Sequence, residues 1–140
     1  MHKVIILRGV SGSGKSTKAH ELFHSACVNG ESCIICSADD YMINALGKYE
    51  FNPKKLQQCH TACQLVFVNA LIDDVNLVIL DNTNTQKWEY YYYLKKAVSM
   101  HYEVEEIIVG NSQDVELYAM RNTHNVPLES IKKQAQRFEM

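Results

Sequence analysis

The stretch GVSGSGKS, residues 9–16, carries the most distinctive chemistry of the 140-residue sequence. It matches the phosphate-binding pattern G-x-x-x-x-G-K-[ST] without a gap, between an apolar run and a predicted helix. Glycines let backbone N–H groups turn around phosphate oxygens, and a helix N-terminus adds positive partial charge. The lysine reaches the β- and γ-phosphates, and the serine hydroxyl can ligate Mg²⁺. The residues predicted to bind a nucleoside triphosphate are Gly9, Ser11, Gly12, Ser13, Gly14, Lys15, Ser16 and Thr17.

Acidic residues follow two other apolar runs. Asp39 and Asp40 come after "CIIC", and Asp81 comes at the end of "NLVILD". A carboxylate at a strand end can accept a proton from an attacking hydroxyl or hold Mg²⁺ through water. We expect Asp39 to act on a hydroxyl nucleophile and Asp81 to join Ser16 in binding the metal. Asp40 is predicted to cap the N-terminus of the helix that follows.

A basic connection lies between the last two predicted helices. Arg121 and His124 stand in "MRNTHNVP", which could fold over the phosphates as a lid. An arginine there would stabilise charge on the transferring phosphoryl group. The alternative is a solvated arginine at a helix end.

Strand and helix patterns alternate along the chain. Strands are predicted at 3–8, 32–38, 76–81 and 102–110, and helices at 15–29, 39–51 in part, 54–72, 85–101, 112–125 and from 127 onward. This order predicts an α/β fold with a parallel sheet and helices on both faces. Its ligand site should lie beyond the carboxyl ends of the strands. The charged first half of the fourth strand indicates an edge position.

Apolar residues at helical spacing predict which helix faces are buried. The first helix would bury Ala19, Leu22, Phe23 and Ala26, and the long helix Leu56, Cys59, Cys63, Val66, Phe67 and Ala70. Four consecutive tyrosines, residues 90–93, could stack on bases. Because consecutive helical residues point in all directions, we interpret the run mainly as packing.

Length, charge and cysteine content narrow the class of protein. One domain over residues 1–140 is expected, and the net charge of −2 gives no general basic signature for nucleic acid. Any polyanion must therefore meet a local patch. No apolar run reaches the roughly 18 residues of a membrane span, and five cysteines without a signal peptide argue against disulfides. These features predict a cytoplasmic protein with no membrane partner.

Several motifs taken together resemble the P-loop kinase module of the polynucleotide 5′-kinase family. They are "GVSGSGKST", "SADDYM", "YEFNP", "LVILDNTN", "WE" and "RNTHNVP". The resemblance implies the strand order 2-3-1-4, ATP with Mg²⁺ as phosphate donor, and a 5′-hydroxyl end of RNA or DNA as acceptor. It also implies that Asp39 is the general base, that Lys15 and Ser16 serve the phosphates and metal, and that Arg121 is the lid arginine.

One position departs from that family pattern. The phage-type kinases carry an arginine for the acceptor phosphate three residues after the base, and Met42 stands there. Other cations would have to replace it, and Lys48, Lys54 and Lys55 are the nearest in sequence. The leading interpretation is an ATP-dependent phosphotransferase acting on single-stranded RNA or DNA ends. The alternatives are a small-molecule kinase and a slow ATPase module that acts through partners.

Overall fold

A four-stranded parallel sheet forms the centre of the computed structural model, which describes residues 2–42, 46–48, 50, 52–110, 114–121 and 126–140. The strands are β1 (Lys3–Arg8), β2 (Cys33–Cys36), β3 (Leu77–Asp81) and β4 (Glu103–Ile108). They lie in the order β2-β3-β1-β4, and all three pairings are parallel. The α/β class, the strand order and the edge position of β4 are thereby confirmed.

Five helices surround the sheet in the described part of the chain. They are α1 (Lys15–Val28), α2 (Leu56–Ile72), α3 (Lys87–Ser99), α4 (Val115–Arg121) and α5 (Leu128–Gln136). Two 3₁₀ turns, Ala38–Tyr41 and Pro53–Lys55, replace parts of the predicted helices. The second turn forms because the Asn52 side chain accepts a hydrogen bond from the Lys54 N–H, so α2 begins two residues later than predicted. None of these helices is long and apolar enough to cross a bilayer.

Successive side chains of β1 alternate between two apolar layers, one on each face of the sheet. Val4 and Ile6 of β1 pack with α2 and α3, whereas Ile5 and Leu7 pack with Ala19 of α1. This alternation follows the two-residue period of a strand, and it requires helices on both faces because neither face can remain in water. The prediction of helices on both faces is confirmed.

The predicted helix faces are correct in part. Cys59, Cys63, Phe67 and Ala70 are buried in α2, and Ala19 and Ala26 in α1. Leu56 and Phe23 are exposed, contrary to prediction. Leu56 is the first residue of α2 and follows the exposed Pro53–Lys55 turn, so it does not reach the packed face. Ser112, the first residue of the helix predicted at 112–125, lies outside the described residues.

The tyrosine run divides between core and surface. Tyr90 and Tyr93 are buried, and the Tyr93 ring meets Phe67 edge-on with centroids 4.9 Å apart. Tyr91 and Tyr92 are exposed. A helix turns about 100° per residue, so a run of four cannot share one environment. Packing therefore accounts for two of the four tyrosines.

A buried arginine joins three parts of the chain at the carboxyl end of β1. The Arg8 guanidinium donates from Nε to the carbonyl of Asn84 at 3.0 Å and from Nη2 to the carbonyls of Thr85 and Glu139. It also lies over the rings of Tyr90 and Phe138, with Cζ about 5 Å from each centroid. The sheet, the β3–α3 loop and the C-terminal segment are thereby held together.

We expect Arg8→Ala to lower the free energy of unfolding by about 3 kcal/mol or more, because buried carbonyls would lose their donor. Urea denaturation measures this change. Arg137→Ala is the matched control, since the Arg137 side chain also bonds Thr85, through Nε and Oγ1 at 2.9 Å, but is exposed. The control should cost less than about 1 kcal/mol. Equal losses in the two variants would contradict a stabilising role specific to Arg8.

Candidate active site

Residues 9–14 form the loop that links β1 to α1, and its backbone depends on glycine at two points. Gly12 and Gly14 have φ angles of +83° and +104°, in the left-handed region that glycine adopts at low cost. A Cβ on Gly12 would also lie 2.3 Å from the carbonyl oxygen of Tyr118 in α4. The loop conformation thus requires glycine at both positions, and tight packing against α4 requires it at Gly12 as well. Helix α1 begins directly afterwards, so its N-terminus lies at the loop.

The loop borders a cavity of about 850 Å³ at the carboxyl edge of the sheet. Its lining unites the loop with the segments after β2 and β3, as the sequence predicted. The lining residues are Ser11, Gly12, Gly14, Lys15, Ser16, Thr17, Lys18, Ala19, His20, Glu21, Ile35, Ser37, Asp39, Asp40, Asp81, Asn82, Thr83 and Val126. Of the predicted phosphate-binding residues, Gly9 and Ser13 are not among them. Both are packed against the protein instead. Ser13 is buried, and a Cβ on Gly9 would lie 2.7 Å from the Val109 carbonyl oxygen.

The hydroxyl of Ser16 and the carboxylate of Asp81 lie together on the cavity wall. Ser16 Oγ donates to Asp81 Oδ2 at 3.3 Å. Mg²⁺ takes oxygen ligands and usually needs only one or two from the protein, the rest coming from phosphates and water. The two side chains therefore offer a hydroxyl and a carboxylate oxygen that fit Mg²⁺, and the magnesium site stays a prediction.

Opposite charges are partly removed from water in this wall. Burial lowers the pKa of Lys15, while Asp81 and then Asp39 partly counteract that effect. Burial likewise raises the pKa of Asp81, and Lys15 and the Ser16 hydrogen bond act against it. Lys15 Nζ donates to the Val10 carbonyl oxygen at 3.2 Å, which holds the ammonium beside the loop. The ammonium is thus held at the loop, on the wall of the cavity.

Asp39 and Asp40 lie on the 3₁₀ turn that follows β2, and both are exposed at the cavity. Ser37 is the capping residue of this turn, so the prediction that Asp40 is an N-cap is wrong. The chain turns three residues earlier than expected because Asn82 holds it there. Its Oδ1 accepts from the Ala38 N–H at 2.9 Å. Asn82 thus links the ends of β2 and β3.

Two predicted residues of the lid are only partly placed. Arg121 ends α4, and His124 lies outside the described residues, as does the Arg121 side chain. The buried ring of Tyr118, three residues before Arg121, packs with Val10 of the loop and Ile131 of α5. The backbone of α4 is therefore anchored beside the phosphate loop.

Sequence reasoning missed one contact of the loop with the C-terminal helix. The Ser11 N–H donates to Oε1 of Gln134 in α5 at 2.8 Å. The two residues are 123 positions apart, and no local pattern in the sequence marks such a pair. An amide of the phosphate loop is thus bonded to α5 in this structure.

A parallel sheet in the order 2-3-1-4, with a phosphate loop after β1 and an acid at the end of β3, defines a P-loop NTPase fold. The chain belongs to the AAA domain family, which matches residues 4–140. It is 34% identical over 140 residues to human (Homo sapiens) NEDD4-binding protein 2. That match covers 97% of this chain and 8% of the relative, so the chain spans about a twelfth of the relative's length.

Solved structures share this fold at low sequence identity. A chain of the Pnkp1/Rnl/Hen1 RNA repair complex aligns with a TM-score of 0.69 and 18% identity, covering 98% of this chain and 44% of that one. The Mycobacterium tuberculosis APS kinase CysC in complex with AMPPNP and APS aligns with a TM-score of 0.59 and 15% identity. The second alignment covers 95% of this chain and 68% of that one. Both likenesses show the fold.

Replacing Lys15 should separate nucleotide binding from folding. Lys15→Ala should lose nearly all of the rise in melting temperature that Mg²⁺ and ATP cause in the wild type, because bound ligand stabilises only the folded state. The variant itself should fold, since it removes a desolvated ammonium and no core atoms. Lys3→Ala, at the amino end of β1, is the control and should keep the full ATP-dependent rise. An unchanged rise in Lys15→Ala would disprove the assigned phosphate site.

Replacing Asp81 should affect stability and binding in opposite directions. The pKa of Asp81 is raised, so its ionised form destabilises the fold above the folded-state pKa, and this cost disappears at lower pH. Asp81→Asn should therefore melt higher than the wild type at pH 8, by more than at pH 4, and bind Mg²⁺-ATP more weakly. The exposed Asp73→Asn is the control and should show no such pH-dependent difference. A lower melting temperature for Asp81→Asn at pH 8 would contradict this assignment.

Proposed function

We propose that this chain, as one domain over residues 1–140, transfers the γ-phosphate of ATP to the 5′-hydroxyl end of an RNA or DNA strand. The observation that carries the proposal is the single cavity that brings together the phosphate loop, the Ser16–Asp81 pair and Asp39. The sequence resemblance and the fold shared with a chain of an RNA repair complex support the choice of acceptor.

Each group has a defined part in the proposed transfer. Asp39 accepts the proton of the acceptor hydroxyl. At the same time the hydroxyl oxygen bonds to the γ-phosphorus, and the bond from that phosphorus to the β,γ-bridging oxygen breaks. ADP leaves with the electron pair of that bond. Lys15 and the loop N–H groups balance the charge on the phosphates, and Arg121 is proposed to contribute to the same charge balance. Ser16 and Asp81 would hold Mg²⁺, which would supply further positive charge to offset that of the phosphates.

Electrostatic coupling supports Asp39 over Asp40 as the base. The Asp39 carboxylate is close enough to Lys15 to raise the pKa of that ammonium, after the larger contribution of Asp81. A carboxylate near the phosphate-binding lysine is also near the γ-phosphorus that the acceptor must attack. Asp40 follows Asp39 on the same turn and lines the same cavity, so it serves as the natural comparison.

Two lysines of the second 3₁₀ turn are the proposed contacts for acceptor phosphates. Lys54 and Lys55 are exposed just before α2, and α2 packs against the turn that bears Asp39. The charges of Asp39 and Lys55 both affect the pKa of the Cys59 thiol. Burial raises this pKa, Asp39 raises it further, and Lys55 lowers it. Asp39 and Lys55 therefore lie near each other. A nucleic-acid strand whose 5′ end reaches the general base Asp39 would meet the Lys55 ammonium.

A small-molecule kinase is the second candidate, and Met42 favours it. Met42 is 1% exposed, and its Sδ lies 3.9 Å from Cys59 Sγ and accepts a hydrogen bond from the Asn52 N–H at 3.4 Å. It is a core side chain, so the position where the resembled kinases carry an acceptor arginine offers no cation. The fold is also shared with APS kinase, whose complex contains the small acceptor APS.

Transfer of label from γ-labelled ATP to a 5′-hydroxyl oligonucleotide tests the proposal and the base together. Asp39→Asn should slow transfer by on the order of 10²-fold or more and leave ATP affinity unchanged, because a general base acts on the reaction rather than on nucleotide binding. Asp40→Asn should retain most of the wild-type rate. Reversed effects of the two variants would assign the base to Asp40.

The acceptor is tested in the same assay. The Michaelis constant for the oligonucleotide should rise with salt, with a logarithmic slope of about 0.7 for each phosphate contact. A Lys54→Ala, Lys55→Ala double variant should show a smaller slope. Labelling of small alcohols without labelling of any oligonucleotide would overturn the polynucleotide proposal in favour of the small-molecule kinase.

A further inference from the structure

The outward side of α3 carries a group of aromatic and basic side chains that the proposed chemistry does not use. The aromatic–lysine face consists of Trp88, Tyr91, Tyr92, Lys95 and Lys96, at successive helical spacings of three and four residues. The three aromatic residues are 74%, 55% and 41% exposed, in that order, and both lysines are exposed. Large aromatic side chains concentrated on one exposed helix face indicate a binding surface.

We propose that the aromatic–lysine face binds a segment of single-stranded nucleic acid, whose bases stack on the aromatic rings and whose phosphates meet the lysines. Stacking on aromatic side chains combined with a cationic track is how proteins hold single strands without reading sequence. The inference rests on the proposed function for its purpose, because a polynucleotide kinase must hold the strand whose end it modifies. Its test is a binding measurement that requires no phosphate transfer.

Charge on α3 favours a polyanion over an apolar partner. The helix has one acidic residue, Glu89, and that carboxylate is engaged in the N-terminal cap, where it accepts from the Gln86 N–H and the Thr85 hydroxyl. The exposed face therefore carries positive charge only, in a chain whose net charge is −2. An apolar protein surface would have to desolvate both lysines without pairing them.

The rings are held in place before any ligand arrives. Trp88 Nε1 donates to Gln86 Oε1 at 2.7 Å, and the Tyr92 ring meets the buried Tyr93 edge-on at 5.8 Å. Lys95 Nζ lies 5.4 Å from the Tyr91 ring centroid, and Lys96 Nζ lies 5.8 Å from that of Tyr92. Each of the two lysines thus contacts an aromatic ring. A ring that is already held in place loses little conformational entropy when a base stacks on it.

The position of α3 connects this face to the cavity. Thr83 lines the cavity, and α3 begins only four residues later, at Lys87. The helix then runs away from that edge, and Trp88 and Lys96 are separated by about 12 Å along its axis. A strand with one end near the cavity would have room for two or three nucleotides on α3.

Trp88 supplies a local readout because it is the only tryptophan in the chain. Titration of the wild type with a twelve-residue oligothymidylate at low salt should quench its emission in a saturable manner. A matched abasic oligonucleotide should bind about tenfold more weakly and quench little, since it offers phosphates without bases. Lys15→Ala should show the same quenching as the wild type, which separates this face from the nucleotide site.

Two pairs of substitutions test the face and leave the reporter in place. Tyr91→Ala with Tyr92→Ala should weaken binding about tenfold or more. Lys95→Ala with Lys96→Ala should reduce the logarithmic salt slope by about 1.4, as expected for two lost contacts. Lys132→Ala with Lys133→Ala, an adjacent lysine pair on α5, is the control and should leave both quantities unchanged.

Three results would overturn the proposal. They are absence of quenching at low salt, quenching that is lost in Lys15→Ala, and wild-type affinity in both α3 double variants. Concentration-dependent dimerisation that the tyrosine double variant abolishes would assign the face to a second copy of the chain instead. Binding with no phosphate transfer in any assay would leave this inference standing and remove the proposed kinase activity.

Discussion

The parallel pairing of β3 with β1 is the constraint on which the site depends. Its register sets Leu7 beside Asp81, so the strand that enters the phosphate loop ends next to the acid that meets Ser16. The pairing of β2 with β3 then brings the turn bearing Asp39 to the same edge. Backbone ladders are rigid compared with loops, so the site geometry is set mainly by strand register rather than by loop conformation.

Charges kept from water at this edge link stability to function. Lys15 and Asp81 each have a pKa shifted by burial toward the neutral form, so the free protein bears a cost for holding them. Phosphates and a cation would offset that cost when they enter, since each buried charge would then gain a partner. Functional sites commonly lower the stability of the free protein in this way, and the bound ligand offsets the loss.

The C-terminal part of the chain strengthens the same edge from outside. Arg8 ties the β3–α3 loop to the Glu139 carbonyl, and Gln134 of α5 bonds the phosphate loop. The Glu139 carboxylate accepts from the Lys87 N–H at 2.7 Å, at the first residue of α3. The start of α3 is thus fixed by several bonds, which gives the aromatic–lysine face a defined position relative to the cavity.

The sequence by itself determined the phosphate loop, the succession of strands and helices along the chain, and the acids at the strand ends, because those features have local periodicity or spacing. The arrangement of the strands within the sheet, β2-β3-β1-β4, followed from the sequence only through resemblance to a family. Tertiary structure alone decided that Arg8 is buried, that Met42 belongs to the core, and that Asp40 lies within a turn capped by Ser37. Such outcomes depend on partners far apart in the chain, such as Arg8 with Glu139, and a local pattern cannot encode which distant groups will meet.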